Sequence, residues 1–324
     1  MKFLRKENLE TFVEKMNRDS DIFYPEHNTN GSYSWARYEK GKTLSITGHR
    51  TVLPLKYFFF PPAENLKEKT GKPAIIFGAR GCDVRGLQLL KKIYLDDPED
   101  IYFRKDTLVF SADCTSCHQN CFCTVLGDEP WAEDDFDLNF SFARDGFLIS
   151  AGGKKGNEIL KNNSDLFEEA SDSQKMEMLN ARSKTKEYLR KQNEDKKINL
   201  KVCAEKAGEN LDVFEKYAQT CVSCGACTNV CPACFCFFLA EGKENKIRYS
   251  DSCQYPGYAR VAGGANPRRK MTPRFKHRIL CKFLYRPAMQ EIKGCTGCGR
   301  CISGCQGKIN FRDVLLDIQA GEKR

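Results

Sequence analysis

The most informative stretch of the 324-residue chain is CVSCGACTNVCP at residues 221–232. A second stretch, CTGCGRCISGC at residues 295–305, repeats its C-x2-C-x2-C-x3-C spacing. Bacterial-type ferredoxins hold a cubane [4Fe–4S] cluster with this spacing, because thiolates so close in sequence converge on the corners of one cube. Small residues leave room for backbone N–H groups to approach the sulfides; they are Gly225, Ala226, Gly297 and Gly299. The two stretches therefore predict two clusters.

The fourth cysteine of each stretch belongs to the other cluster in two-cluster ferredoxins. We therefore expect one cluster ligated by Cys221, Cys224, Cys227 and Cys305, and another ligated by Cys231, Cys295, Cys298 and Cys301. Zinc is the main alternative, but zinc sites usually combine two C-x2-C pairs that are separated by a loop. Pro232 follows the first stretch, as is usual, whereas Gln306 follows the second, which alters the turn there but removes no ligand.

Composition and the start of the chain indicate a compartment in which thiols stay reduced. The chain has 18 cysteines, and 41% of its residues are hydrophobic, which excludes a wholly disordered protein. The opening sequence MKFLRKENLETFVEKM is charged throughout. No apolar run approaches the roughly 18 residues that a membrane-spanning helix needs. We expect a cytoplasmic protein without a membrane span, in which clustered cysteines are metal ligands and not disulfides.

The amino-terminal part has the pattern of an α/β or α+β domain. PAIIFGA at 73–79 predicts a buried strand, VRGLQLLKKIYL at 84–95 an amphipathic helix, and TLVFSA at 107–112 a second strand. Strand, helix and strand in this order favour a parallel sheet. Apolar residues from Leu4 to Met16 have helical spacing. We predict an α/β domain over 1–153, a charged helical connector over 154–200 and a cysteine-rich module over 201–324.

A second group of cysteines lies in the predicted α/β domain. Cys82 follows the first predicted strand in RGCD at 80–83, and CTSCHQNCFC at 114–123 starts at the end of the second. Adjacent parallel strands bring the loops at their carboxyl ends to one edge of the sheet, the usual place for a site in such folds. Four or five thiols that converge there suit a third [4Fe–4S] cluster. The alternatives are reduced cysteines without a metal, or zinc held by Cys114, Cys117, Cys121 and Cys123.

Seven motifs occur in an order that resembles one family. They are PLKYFFFPPAENL at 54–66, FGARGCDVRGL at 77–87, CFC at 121–123, CPACFCF at 231–237, DSCQYPGY at 251–258, AGGANPR at 262–268 and GCTGCGRC at 294–301. Their order is similar to that of an iron–sulfur subunit family. This family includes the iron–sulfur subunit of anaerobic sulfite reductases and the beta subunit of soluble hydrogenase/sulfur reductases (sulfhydrogenases). The resemblance covers most of the chain and is loosest over 130–200.

The resemblance implies a role, partners and ligands. In that family the subunit relays electrons between a catalytic subunit and a flavin subunit with a ferredoxin–NADP reductase-like fold. The resemblance implies that Cys82, Cys114, Cys121 and Cys123 ligate the third cluster, with Cys117 in reserve. It also implies that the carboxyl-terminal module is an α-helical ferredoxin whose two motifs are separated by helices. The 63 residues between Cys231 and Cys295 agree with this.

Five further cysteines and a basic stretch remain. We interpret the five as buried thiols beside the clusters, with another metal site made by the last four as the alternative: Cys203, Cys234, Cys236, Cys253 and Cys281. The formal charge is +9. It falls to about +3 if three clusters contribute about −2 each. The basic residues from Arg268 to Arg286 would then offset cluster charge or dock an acidic partner, with a plain solvated face as the alternative, and we expect no nucleic acid.

The motifs of nucleotide-binding and hydrolytic sites are missing from the sequence. It has no G-x-G-x-x-G fingerprint, no G-x4-G-K-[ST] loop and only four histidines. We therefore expect no catalytic residues, and an electron-transfer subunit of an anaerobic oxidoreductase complex. Its partners would be a flavin-containing NAD(P)H-linked subunit and a catalytic redox subunit of the hydrogenase, sulfite reductase or heterodisulfide reductase type. The alternatives are a self-sufficient thiol or disulfide reductase that uses Cys253 or Cys281, and a zinc-dependent nucleic-acid-binding protein.

Overall fold

The computed structural model describes residues 1–67, 72–96, 98–209 and 212–321. Its strands and helices, in chain order, are β1 (Lys2–Arg5), α1 (Leu9–Asn17), β2 (Asp21–His27), β3 (Tyr33–Arg37), β4 (Ala63–Asn65), β5 (Ala74–Ala79), α2 (Gly81–Tyr94), β6 (Leu108–Ala112), β7 (Leu138–Ala143), β8 (Gly146–Ala151), α3 (Lys154–Asn162), β9 (Phe167–Glu169), α4 (Asp172–Lys191), α5 (Leu200–Ala207), α6 (Asp212–Thr220), α7 (Ala226–Asn229), β10 (Phe237–Glu241), β11 (Lys246–Ser250), α8 (Met271–Leu280), α9 (Arg286–Gln290), α10 (Arg300–Ser303) and α11 (Phe311–Ala320). A π-helical turn, Cys281–Tyr285, joins α8 to α9.

An eight-stranded sheet with the order β3-β2-β5-β6-β7-β8-β1-β9 forms the centre of the amino-terminal part. β2, β5, β6 and β7 are parallel neighbours, and the remaining pairs are antiparallel. The predicted strand–helix–strand unit is confirmed as β5, α2 and β6. All of β5 is buried, because Ile75 and Phe77 pack into one apolar cluster while Ala74 and Ile76 pack into another. A parallel strand covered on both faces reads as a continuous apolar run for this reason.

The start of the chain differs from the prediction. Leu4 belongs to β1 and not to a helix, and α1 begins only at Leu9. β1 lies between β8 and β9, and its residues Phe3 and Leu4 are buried in different apolar clusters. Side chains of a strand alternate between two faces, so a four-residue strand directly before an amphipathic helix can mimic an extra helical turn.

The segment that we predicted as a charged connector, 154–200, contributes to the sheet and its cover. β9 extends the sheet at its edge. The predicted helix is present as α4, which begins with a capping box formed by Ser171 and Gln174. Arg182 on α4 forms an ion pair with buried Asp113 just after β6, with Nε–Oδ2 at 2.7 Å. The pattern of charged residues on α4 therefore includes at least one contact that fixes the helix to the domain.

Helices surround the cysteine motifs in the carboxyl-terminal part. Phe214 on α6, Phe275 on α8 and Leu315 on α11 share an apolar cluster with Phe122 from the amino-terminal part. Between the two motifs, helices α8 and α9 are present as expected. The antiparallel pair of β10 and β11 was not predicted, and β11 also pairs with β4. Both parts of the chain therefore contribute to shared packing.

Candidate metal centres

The first cysteine motif and the last cysteine of the second motif come together. Cys221 follows α6, Cys227 lies in α7, and Cys305 follows α10. Together with Cys224 they line one cavity. Cys224 is exposed and the other three are half-buried. These four cysteines, which we call the first site, are the residues that we expect to ligate one cluster.

The other predicted ligand set, which we call the second site, lies deeper in the protein. Cys231, Cys295 and Cys298 are buried, and Cys301 is half-buried in α10. Burial raises the pKa of Cys295 to about 12; the Lys282 ammonium acts against this, and the thiolates of Cys301 and Cys231 raise the pKa further. The Cys298 thiolate in turn raises the pKa of Cys301, so all four thiols are linked electrostatically. Cys298 also lines the cavity of the next group.

The cysteines of the amino-terminal part meet at the carboxyl edge of β5 and β6. Cys82 lies in the first turn of α2, and Cys114 follows β6. They line one cavity with Cys117, Cys121 and Cys123. Burial raises the pKa of all five thiols, that of Cys114 to about 12. We call these five cysteines the third site. It includes Cys117, which we keep as the alternative ligand beside the four that the family resemblance implies.

Hydrogen bonds from two directions fix the loops of the third site. The buried Arg80, directly before α2, donates from Nη1 to the Asp113 carbonyl oxygen at 2.7 Å and from Nη2 to that of Ile46 at 2.8 Å. Gln192, just after α4, donates from Nε2 to the Cys121 carbonyl oxygen at 2.7 Å. Because these contacts use backbone oxygens and not thiols, they hold the loops without competing with a metal for an Sγ atom.

The third site packs directly against the second cysteine motif. Phe122 N–H donates to the Gly297 carbonyl oxygen at 2.8 Å. Both Gly297 and Gly299 have positive φ, and a Cβ at either position would overlap the backbone of Cys123 or Asn120. We expected these glycines to make room for sulfides. The structure also shows that they admit the loop of the third site, and their role towards sulfides stays a prediction.

Buried cations lie among the thiols. Lys282 Nζ donates to Cys231 Sγ at 3.2 Å and to Cys234 Sγ at 3.5 Å. Arg278 is buried, and its Nε and Nη2 have no hydrogen-bond partner among the described residues. Burial lowers the pKa of both cations, but nearby thiolates raise it by more, so that both stay protonated. A buried cation needs a negative partner, and thiolate-bound clusters supply one. These residues therefore fit iron–sulfur clusters.

A buried ion pair joins the second and third sites, and sequence reasoning missed it. Arg300 Nη2 lies 2.7 Å from Asp83 Oδ2, and both side chains are 1% exposed. Asp83 is adjacent to Cys82, and Arg300 lies between Cys298 and Cys301 in the sequence. A charged residue directly beside a predicted ligand in each motif was the available signal. Spacing rules alone do not pair such residues.

The thiols of the three sites are soft donors. Over residues 1–67, 72–96, 98–209 and 212–321, no three or more His, Cys, Asp or Glu side chains are arranged to hold a single metal ion. Soft thiolates select iron–sulfur clusters or zinc, and one zinc ion requires four ligands at about 2.0–2.3 Å from one centre. The donor chemistry of these sites fits iron–sulfur clusters.

Two histidines border the third site. Burial lowers the pKa of His49 and of His118 to about 4, and the Arg50 guanidinium lowers both further. His118 lies between Cys117 and Cys121 in the sequence, and its Nδ1 accepts a hydrogen bond from Asn120 N–H at 3.1 Å. Both rings are therefore neutral near pH 7, and neither adds charge beside the thiols.

Comparisons with known proteins agree with this geometry. Within the described part of the chain, no helix is long and apolar enough to cross a membrane. The model of the 4Fe-4S dicluster domain matches residues 220–309. The chain is 31% identical to sulfhydrogenase 2 subunit beta of Pyrococcus furiosus over 337 aligned positions, which cover 96% of this chain and 97% of that protein.

Proposed function

The chain belongs to the family of sulfhydrogenase beta subunits, and on that premise we propose that it passes electrons between two partners in an anaerobic oxidoreductase complex. One partner is a flavin-containing, NAD(P)H-linked subunit, and the other is a catalytic redox subunit. The family and the dicluster domain establish the coarser statement, that the chain is an iron–sulfur electron-transfer subunit with [4Fe–4S] clusters. The number of clusters, their ligands and the partners are part of the proposal.

The proposal gives each of the three sites one cluster. The first site uses Cys221, Cys224, Cys227 and Cys305; the second uses Cys231, Cys295, Cys298 and Cys301; the third uses Cys82, Cys114, Cys121 and Cys123, with Cys117 in reserve. A bound [4Fe–4S] cluster supplies a one-electron carrier. The protein supplies thiolates, buried cations that offset negative charge, and apolar packing that excludes water. Lys282 and Arg278 offset the charge at the second and first sites.

The observation that carries the proposal is that the three sites form a continuous row. Cys298 of the second site also lines the cavity of the third site. Cys301 of the second site also lines the cavity of the first site. The second site is therefore the middle of the row. Sites that share a lining residue are neighbours, and this adjacency supports direct electron transfer between them.

Both ends of the row reach the surface, as a relay between two partners requires. At one end, Cys224 of the first site is exposed, and its neighbour Val222 is 61% exposed. At the other end, Cys117 of the third site lines a surface pocket with Lys184 and the exposed Tyr188. We assign one partner to each end.

The proposal is tested with the chain alone and in its complex, both purified without oxygen. NAD(P)H should bleach the broad visible absorption of the clusters only when the flavin partner is present. Oxidation of the reduced complex by the substrate of the catalytic partner should restore the absorption. Bleaching of the isolated chain by NAD(P)H, or no bleaching in the complex, would contradict the relay.

The third site is tested separately. Replacing Cys82 and Cys121 together by alanine should lower the iron content by about four atoms per chain and leave the spectra of the other two clusters intact. Unchanged iron content would show that these thiols do not ligate a cluster.

No observation favours a self-sufficient thiol or disulfide reductase. One of its two candidate nucleophiles, Cys253, is 5% exposed, whereas the other, Cys281, is half-buried. Burial raises the pKa of Cys253 to about 12, and a hydrogen bond from Gln254 only partly opposes this. A nucleophilic cysteine needs an accessible thiolate.

A further inference from the structure

Four of the five cysteines outside the three sites line one further cavity. The cavity has a volume of about 180 Å³, against about 20 Å³ for the cavity of the first site and about 20 Å³ for that of the third. Three segments distant in sequence contribute the thiols: Cys234 and Cys236 lie before β10, Cys253 follows β11, and Cys281 begins the π-helical turn. Because the thiols come from separate segments, their spacing is irregular, and the sequence offered this group only as an alternative metal site.

Several polar groups around this cavity are hydrogen-bond donors that lack acceptors. The Arg278 side chain is 5% exposed, and its buried Nε and Nη2 have no partner among the described residues. Arg286 Nε, also in the cavity lining, is buried and unpartnered within the same ranges. Lys282 lies at the wall and donates to Cys234 Sγ at 3.5 Å. A cavity with several buried cationic donors, and no carboxylate among its described lining residues, fits a negatively charged occupant.

We propose that this cavity holds a fourth iron–sulfur cluster, ligated by Cys234, Cys236, Cys253 and Cys281. Four thiolates are soft ligands, and softness selects iron–sulfur clusters or zinc. The cavity of about 180 Å³ leaves space between the four thiols for more than one atom, and its buried cationic donors favour a negatively charged group. A cluster with its sulfides would fill the space and accept the unpartnered N–H groups of Arg278 and Arg286.

The fourth cluster is adjacent to the second site. Lys282 Nζ donates to Cys231 Sγ of the second site and to Cys234 Sγ of the fourth. Arg278 lines both the fourth cavity and that of the first site. The fourth cluster is therefore a branch beside the middle of the row. Met289, which is 71% exposed, also lines its cavity, so that the branch reaches the surface at a third place.

The test is an iron and sulfide count on the full chain, purified without oxygen. The wild type should contain about 16 iron atoms, and the Cys253→Ser/Cys281→Ser variant about 12. The matched control is Cys203→Ser, another buried cysteine, whose Sγ donates to the Leu315 carbonyl oxygen. It should keep all the iron, and Mössbauer spectra should lose one cluster component only in the double variant.

The iron contents of the wild type and the variants either support or overturn the fourth cluster. Equal iron in the double variant and the control would overturn it, as would a loss of one zinc ion without iron. If the double variant does not fold, a wild-type content of about 12 iron atoms overturns the proposal when Cys82→Ala/Cys121→Ala still removes about four of them. The fourth cluster is proposed in addition to the row of three sites, so one proposal can be wrong while the other holds. If both the third and the fourth cluster are present, combining the double variant with Cys82→Ala/Cys121→Ala should remove about eight iron atoms. A wild type without iron would instead contradict the proposed electron-transfer function.

Discussion

Asp83→Asn removes the negative partner of Arg300 and leaves a buried cation behind. In the wild type, Asp83 Oδ2 accepts from Arg300 Nη2 at 2.7 Å, and Asp83 Oδ1 accepts from Leu55 N–H at 3.1 Å. Arg300 Nε also donates to the Thr51 carbonyl oxygen at 2.8 Å, and this contact survives the substitution. Asparagine preserves the shape of the side chain, so the change in charge dominates. The variant therefore measures how much the ion pair between α2 and the second cysteine motif contributes to stability.

The expected effect is large because both groups are almost fully buried. Removing one partner of a buried ion pair costs about 3–5 kcal/mol of unfolding free energy. For a chain of this size, such a loss lowers the melting temperature by about 4–7 °C. The unpaired Arg300 also adds positive charge beside Cys82 and Cys298, which affect its pKa in the wild type. The reduction potentials of the second and third clusters should therefore rise.

Anaerobic thermal unfolding and a redox titration followed by EPR measure the two effects. The matched control is Glu169→Gln, which breaks the exposed pair between Lys2 and Glu169 and should change stability far less. Asp83→Leu/Arg300→Met removes both charges and should recover most of the lost stability. If Asp83→Asn lowers the melting temperature no more than Glu169→Gln, or leaves the potentials unchanged, the assigned role of the pair is wrong.

Three further predictions concern charge, pH and packing. Lys282→Met removes a donor to two thiols and should lower the reduction potential of the second cluster in EPR titrations, while Lys282→Arg should lower it less. Burial, with Arg50 adding to it, lowers the pKa of His49 and of His118 from 6.5 to about 4. In the unfolded chain both histidines take up protons at a higher pH than in the folded protein, so stability is lost as the pH falls from about 6.5 towards 4. The His49→Gln/His118→Gln variant should therefore lose less stability than the wild type between pH 7 and pH 5. Gly299→Ala should lose iron from the third site and about 1–3 kcal/mol of stability, whereas Gly127→Ala, with similar positive φ but no atom within 4 Å, should keep its iron.

For each of these three predictions, one result would contradict it. An unchanged potential in Lys282→Met would show that its ammonium does not act on a cluster. Equal pH dependence in the wild type and the histidine variant would place the folded-state pKa values near 6.5. Equal iron contents in the two glycine variants would show that the packing of the third-site loop on the second motif is not needed for metal binding.

The sequence predicted those features that depend on local spacing. β5, α2 and β6 follow from an apolar run, an amphipathic segment and a second run, and their parallel pairing brings Cys82 near Cys114. The C-x2-C-x2-C-x3-C spacing predicted the group of cysteines at the first site because its members are neighbours in the chain or follow a known exchange. The assignment of ligands to clusters stays a prediction.

Features that depend on distant pairing could not be predicted from the sequence. β1 pairs with β8 and β9, which start more than 140 residues later, and its four residues carry too little periodicity to show a strand. The contact between Arg300 and Asp83 joins residues 217 positions apart. The sequence offered Cys234, Cys236, Cys253 and Cys281 only as an alternative metal site, because their common cavity depends on the positions of β11 and the π-helical turn. Such pairings are set by tertiary packing, which a single sequence does not display.

The central claim is that the cysteines of this chain hold iron–sulfur cubes for electron transfer. Mössbauer spectroscopy of the chain, purified without oxygen and enriched in 57Fe, tests this most directly when metal analysis of the same sample accompanies it. We expect at least about 12 iron atoms per chain, nearly all in [4Fe–4S] components that dithionite reduces. A protein with stoichiometric zinc and no iron, or with iron only as single ions, would contradict the account.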